Sequence, residues 1–299
     1  MGLPFFNNKY ESELVNLTSS HIDELITMAF NEDTAFDDIT TKVILPHEMN
    51  SSCNFVCKSE GVISGLNIVK RVFELYDNSL VFKSYKSDGD EVTLNQVIAN
   101  VSGKMSSILS SERVALNFLQ RMSGISTQTN NIVKSISSTS ALLVDTRKTT
   151  PGYRNLDKYS VKMGGAFNHR INLSEAILIK DNHIEALIAD GYTFSKIIQM
   201  VRNKVSPEII IEIEVESVKD AIESIEAGAD IIMLDNMSLS DMKKIVDVNS
   251  GRAKIEASGG ISQNNILSVA KTGVDMISVG SITHSFSALD ISLDYKSEI

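Results

Sequence analysis

Positive charge is in short supply in this 299-residue chain: 28 Lys and Arg stand against 38 Asp and Glu, a formal net charge of -10. That balance leaves no overall footprint for a nucleic acid or an anionic membrane, so any bound anion must meet a local basic pocket. Cysteine is scarcer still. Cys53 and Cys57 are the only two; their three-residue spacer is not a zinc-ribbon pair, and no second Cys/His pair accompanies it. On a strand, positions four apart share a face, so the pair reads as two small buried thiols in a protein of the reducing cytosol. No apolar run approaches the length of a membrane span. The first ten residues, MGLPFFNNKY, lack the cationic and apolar regions of a signal peptide, and Phe6 stands where N-myristoylation needs Ser or Thr. There is no nucleophile-elbow Ser, no HExxH and no GxxxxGK[ST]. These absences predict a soluble, cytoplasmic protein that binds neither nucleic acid nor membrane and is not a covalent hydrolase.

What is present falls into two rhythms. The first part mixes helix and antiparallel strand. HIDELITMAF (21–30) carries Ile22, Leu25, Ile26 and Phe30 at helical spacing. Short β-rich runs follow, with Asp88-Gly89 marking a turn between them. A helix then starts near Ser110 or Ser111, with Glu112 in its first turn, and Gly124 is its expected C-terminal cap. Arg121 lies on the polar face of this helix, and by spacing alone it reads as solvated.

From about residue 128 the pattern becomes β-α-β-α. Candidate strands are 141–145, 176–179, 209–215, 230–234, 254–257 and 275–279, and the last four recur about every twenty residues, as βα units do. The junctions after them read VDTRK, LIKDNH, IEVES, MLDNM, EASGG and SVGSI. Charged groups or glycines at every C-terminal strand end favour a barrel, where those ends converge on one face, over a doubly wound sheet.

Three groups of residues stand out at those ends. Between Asp145 and His183 seven Lys/Arg face four acids, so this stretch is +3 while the remainder of the chain is -13. Arg147, Lys148 and Lys180 sit at strand ends and suit a carboxylate or phosphate; Lys158 and Lys162 read as a solvated face. Glu212, Glu214 and Glu216 share one strand face, and Asp235 ends the next strand. Two carboxylates on adjacent strand ends suit Mg²⁺ or sugar hydroxyls. EASGGIS and SVGSIT each place glycines, with Ser258 and Ser281 beside them, where a strand gives way to a helix. In barrels the last two βα loops are a recurrent phosphate site. His21, His47 and His284 have no recognisable partners and are assigned structural roles.

The stretch DTRKTTPGYRNLDKYSVKMGGAFNHRINLSEAILIKDNHI (145–184) resembles the central signature of the quinolinate phosphoribosyltransferase family, also called nicotinate-nucleotide pyrophosphorylase (carboxylating). SERVALNFLQRMSGIST, EVES, MLDN, EASGGI and ISVGSIT match further blocks in order. The resemblance implies an N-terminal α/β sandwich domain over residues 1–127, to which a tail at 285–299 returns. It also implies an irregular, about seven-stranded α/β barrel over 128–284. The implied reaction joins quinolinate to the phosphoribosyl group of phosphoribosyl pyrophosphate with Mg²⁺, giving nicotinate mononucleotide, pyrophosphate and carbon dioxide for NAD biosynthesis. By the same resemblance Arg147, His169 and Arg170 contact the quinolinate carboxylates. Arg121 joins them from the partner subunit of a homodimer. Lys148, Lys180, Glu214 and Asp235 carry the catalysis and the contacts to pyrophosphate, ribose and Mg²⁺. Ser258, Gly259, Gly260, Gly280 and Ser281 hold the 5′-phosphate. One stretch departs from the family: NEDTAFDDITT (31–41) stands where EDxGxGDxT is usual. The alternatives are a paralogue acting on another aromatic acid, a catalytically idle binding homologue, and a sugar-phosphate barrel of isomerase or synthase type.

Overall fold

The structure is a computed structural model and describes residues 20–46 and 49–295; His47 and the N-terminal MGLPFFNNKY lie outside the described residues. The chain runs through α1 (Ser20–Asp33), α2 (Ile39–Ile44), β1 (Asn50–Cys57), β2 (Gly61–Val62), α3 (Leu66–Tyr76), β3 (Val81–Ser84), β4 (Glu91–Val92), β5 (Val97–Lys104) and α4 (Met105–Ile136). Next come β6 (Leu142–Val144), α5 (Arg154–Met163), β7 (Ile177–Ile179), α6 (Asp181–Ala189), α7 (Phe194–Arg202), β8 (Ile211–Val215), α8 (Val218–Glu226) and β9 (Ile231–Asp235). The order closes with α9 (Leu239–Asn249), β10 (Lys254–Ser258), α10 (Ile266–Ala270), β11 (Met276–Ser278), α11 (Ser281–His284) and β12 (Ile291–Tyr295). Two compact units result. Among the described residues, one takes 20–130, 150–165 and 285–295, the other 131–149 and 166–284.

The first unit is built on an antiparallel sheet in the order β12-β1-β5-β3. Its last strand comes from the C-terminal stretch and pairs with β1, Phe55 opposite Leu293. Phe55, Phe73 and Phe82 pack with ring centroids near 6 Å, at the heart of a core that also takes Ile22, Leu25, Ile26 and Phe30 from the apolar stripe of α1. Cys53 and Cys57 are buried and free. In the departing stretch, Ala35 and Asp37 fill the positions where the resembling family has glycine. They form a 3-10 turn, and the left-handed φ of 51° falls on Thr34 instead. Asp38 then caps α2 by accepting from Thr41 N at 3.0 Å.

Two expectations from sequence fail in this unit. The long helix α4 starts at Met105 and runs through Gly124 to Ile136, so neither Ser110 nor Ser111 is its cap and Gly124 is not its end. Ser111 donates back to Ser107 O at 2.7 Å. Gly124 is glycine for packing: a Cβ there would fall on Ser287 O and 2.9 Å from Ala288 Cα. Lys158, expected on a solvated face, is fully buried on α5 beside the equally buried Asp157. An ammonium so far from water persists only with polar partners, which Lys158 has.

The second unit carries a parallel sheet in the order β6-β11-β10-β9-β8-β7. Phe167 adds a one-residue parallel bridge to Val144, on the other side of β6. Read around the sheet, chain order is followed throughout, and the last strand returns to pair with the first: Met276 with Leu142, Ile277 with Leu143. That is the order of a barrel of seven positions, irregular where Phe167 supplies a bridge in place of a strand. A doubly wound sheet would reverse its order at a central strand. Val144, Ala176, Ile231 and Met276 cluster as an apolar layer inside this unit.

Candidate active site

A cavity of about 610 Å³ opens at the C-terminal strand ends of the second unit. The residues that line it come from the six junctions and from the segment after Phe167, and they include Arg147, Lys148, His169, Arg170, Lys180, Glu214, Asp235, Ser258, Gly259 and Gly260. Ten residues singled out from sequence are therefore brought together. Gly280 and Ser281 are not part of the lining, although a Cβ on Gly280 would meet the Lys148 stem at 3.0 Å, so this glycine lets the lysine lie down beside β11. Thr283 Oγ1 donates to Lys148 O at 2.9 Å and Thr146 Oγ1 accepts from Lys148 N at 3.0 Å, which fixes the DTRK turn at the mouth. Arg121 does not line this cavity. It belongs to the first unit, where it borders a separate cavity of about 440 Å³ with Glu32, Asn117, Thr150 and Tyr153.

The period of two on β8 becomes a ladder of depth. Glu212 is fully buried, Glu214 is partly exposed and Glu216 is at the surface. Glu214 Oε2 has no hydrogen bond and meets Lys180 Nζ at 3.7 Å. Burial raises the Glu214 pKa, Lys180 opposes the rise, and Asp235 and Asp181 add to it. Asp235 ends β9 with Asn236 behind it. Asn236 adopts a left-handed φ of 54°, donates its side-chain amide to Asp235 Oδ2 at 2.8 Å and its backbone N–H to Ser258 O at 3.0 Å. Gly259 (φ 79°) leaves the space in which both side chains sit. Spacing alone did not mark Asn236, because its task needs a positive φ that asparagine tolerates and no pattern announces.

At the basic side, Arg147 Nε and Arg170 Nε are buried without a hydrogen-bond partner among the described residues. Arg170 is 5% exposed; its Nη1 donates to Ala176 O at 2.9 Å. Burial lowers the Arg170 pKa and the neighbouring Arg147 charge lowers it further. Two adjacent guanidiniums with unmet buried donors form an unsatisfied receptor, and a dianion is the chemical complement of such a pair.

Under these arginines lies a feature the sequence reading missed. His169, Glu212 and Glu256 bring their ligand-type atoms within 4.8 Å of one another, all buried. His169 Nε2 is 3.1 Å from Glu212 and 3.4 Å from Glu256, while Nδ1 accepts from Arg170 N at 2.8 Å. That last contact requires a lone pair on Nδ1, so Nε2 carries the ring proton and points at the carboxylates. Burial raises Glu212. On His169 burial works against protonation, but Glu212 and Glu256 outweigh it and raise the imidazole. Glu256 was legible only as the strand residue two before Ser258, which is a signal of facing and not of chemistry.

Comparison with known proteins gives a consistent picture. Residues 38–123 match the family model for the quinolinate phosphoribosyl transferase N-terminal domain, and residues 125–294 match that for the C-terminal domain. The chain is 39% identical over 273 residues to a probable nicotinate-nucleotide pyrophosphorylase [carboxylating] of Bacillus subtilis (strain 168), covering 91% of this chain and 93% of the relative. It is 35% identical to quinolinate phosphoribosyltransferase [decarboxylating] 2, mitochondrial, of Nicotiana glauca, covering 93% and 83%. The solved nicotinate-nucleotide pyrophosphorylase of Francisella tularensis superposes with a TM-score of 0.87 at 37% identity, covering 92% of this chain and 96% of that one.

Proposed function

This chain belongs to the quinolinate phosphoribosyltransferase family, and from that premise we propose how its barrel mouth carries out the family's reaction. The enzyme transfers a phosphoribosyl group to quinolinate with decarboxylation, giving nicotinate mononucleotide, pyrophosphate and carbon dioxide. The observation that carries the site assignment is the pair of buried Nε donors on Arg147 and Arg170, unpartnered among the described residues, in a lining that also carries the carboxylates of Glu214 and Asp235. The arginines fit a dicarboxylic acid, and the carboxylates fit a polyhydroxylated, cation-bound phosphate ester.

Arg147 and Arg170 receive the acid. His169, expected on the quinolinate carboxylates, has both ring nitrogens engaged within the protein, and its task in this reading is instead to orient Arg170 through its backbone. Lys148 and Lys180 stabilise pyrophosphate as it departs, when positive charge develops at ribose C1. Ser258, Gly259 and Gly260 hold the 5′-phosphate, with Gly280 and Ser281 supporting from the next junction. The pyridine nitrogen attacks without a base, having no proton to lose. Once ribosylated, the cationic ring stabilises the electron pair left on C2 as the 2-carboxylate departs as carbon dioxide, and a proton taken from water then forms the new C–H bond.

The donor set suits Mg²⁺. Glu214 and Asp235 offer hard oxygen ligands on adjacent strand ends, Glu214 Oε2 lacks a hydrogen bond among the described residues, and the Asp235 charge helps to raise the Glu214 pKa. Bound there, the ion would neutralise leaving-group charge. A homodimer, with Arg121 completing the partner's pocket, is part of the same reading. The two free, buried thiols support a reducing, cytoplasmic setting.

The test is to incubate purified protein with quinolinate, phosphoribosyl pyrophosphate and Mg²⁺. Nicotinate mononucleotide and carbon dioxide in equal amounts are expected. Turnover of nicotinate or another base, with none of quinolinate, would overturn the assignment.

A further inference from the structure

Arg121 is held in a manner that a solvated arginine is not. Its Nη2 donates twice, to Asp157 Oδ1 at 2.8 Å and to Thr150 Oγ1 at 2.9 Å. Its guanidinium carbon lies 5.1 Å from the Tyr153 ring centroid and 4.8 Å from that of Phe286. Asp157 is fully buried, and its other oxygen accepts from Thr150 N at 3.3 Å. Arg121 Nε is buried without a partner among the described residues. Both Nη2 hydrogens are therefore committed, two aromatic rings contact the guanidinium, and Nη1 is left as the end open to an incoming group.

An ion pair with a buried carboxylate would be a poor arrangement if attraction of anions were all that mattered, since it cancels much of the charge. It is a good arrangement for aiming one donor pair. Arginine has rotamer entropy to lose on ordering; here the two rings and the Asp157 pair have already fixed it, so an acid meets a preorganised group.

We propose that Asp157, Tyr153 and Phe286 are positioning residues, a clamp that holds Arg121 so that its Nη1 end alone meets a substrate carboxylate. The proposal rests on the reading that Arg121 serves the acid site. It adds that the acid is met in the guanidinium plane, by one end.

The test separates the two. Quinolinate and phosphoribosyl pyrophosphate KM values, with calorimetric quinolinate Kd, are measured for Arg121→Ala, Asp157→Asn, Asp157→Glu, Tyr153→Leu and Phe286→Leu. The same clamp changes are then made in the Arg121→Ala background. An unchanged quinolinate affinity in Arg121→Ala removes the reading on which the clamp depends. If Arg121→Ala weakens quinolinate, the clamp predicts about 10-fold weaker quinolinate binding for Asp157→Asn. It predicts about 3-fold for each aromatic variant and partial recovery in Asp157→Glu. The phosphoribosyl pyrophosphate KM should stay within about twofold, and every clamp effect should vanish in the Arg121→Ala background. Folded aromatic variants with unchanged quinolinate affinity would overturn the clamp, as would clamp effects of the same size with Arg121 absent. The aromatic pair keeps the test open should Asp157→Asn fail to fold.

Discussion

Gly259→Ala is the smallest change that should reach the reacting centre. Gly259 has φ 79°, a left-handed conformation that costs an L-residue roughly 1–2 kcal/mol. The added methyl would fall on Asn236 Oδ1 and lie 2.6 Å from Asp235 Oδ1. Real Cβ contacts essentially never come under 3.0 Å, so the Asp235 carboxylate must retreat by about half an ångström, or Asn236 must release it. Displacements on the order of 1 Å in a reacting constellation can lower rate by about 100-fold. A fall of roughly 10- to 100-fold in kcat/KM for phosphoribosyl pyrophosphate is therefore expected, together with a melting temperature lowered by a few degrees. Quinolinate Kd, measured calorimetrically without the second substrate, should change by less than about threefold. Steady-state kinetics with each substrate varied, beside thermal unfolding, makes the comparison. A folded Gly259→Ala enzyme with unaltered kcat/KM for phosphoribosyl pyrophosphate would refute the reasoning that this glycine exists to seat Asp235 and Asn236.

Further outcomes follow from the same geometry. Arg147→Ala should weaken quinolinate binding far more than phosphoribosyl pyrophosphate binding; equal losses would mean that it supports the loop and does not clamp the acid. Glu214 has a pKa raised above its unfolded value, so its ionisation as pH climbs between those two values lowers folding stability, and above both the contribution is constant. Lys180 opposes that rise, so Lys180→Ala should move the acid limb of the pH profile of kcat/KM for phosphoribosyl pyrophosphate to higher pH; a limb that stays or moves down would contradict this. Burial pushes the thiols of Cys53 and Cys57 up to about 11, so a thiol reagent at pH 8 should label neither in the folded protein and both after denaturation.

Much of the architecture was legible because the signals were redundant. Each of the six barrel strands announced itself by an apolar interior and a polar or glycine junction, the last four also by their spacing, and the cavity gathers those junctions as the barrel geometry requires. What was illegible had only one signal, and that signal was ambiguous. Gly124 reads as a helix end because glycine often is one, yet here the segment at Ser287 demands it. Lys158 reads as solvated because its burial depends on which face of α5 turns inward. The His169, Glu212 and Glu256 cluster joins residues 43 and 44 positions apart on three separate elements, and only closure of the sheet brings them together. Arg121 is assigned a task by resemblance alone, and its setting against the Tyr153 and Phe286 rings carried no signal in the sequence.

The central claim is that this pocket removes the 2-carboxylate of quinolinate only after the ring nitrogen has been ribosylated. Quinolinate labelled at the 2-carboxylate tests it in one vessel. Label should leave as carbon dioxide only when phosphoribosyl pyrophosphate is present, in step with pyrophosphate release. Labelled carbon dioxide formed without phosphoribosyl pyrophosphate, or pyrophosphate released while the label stays on the ring, would contradict the account.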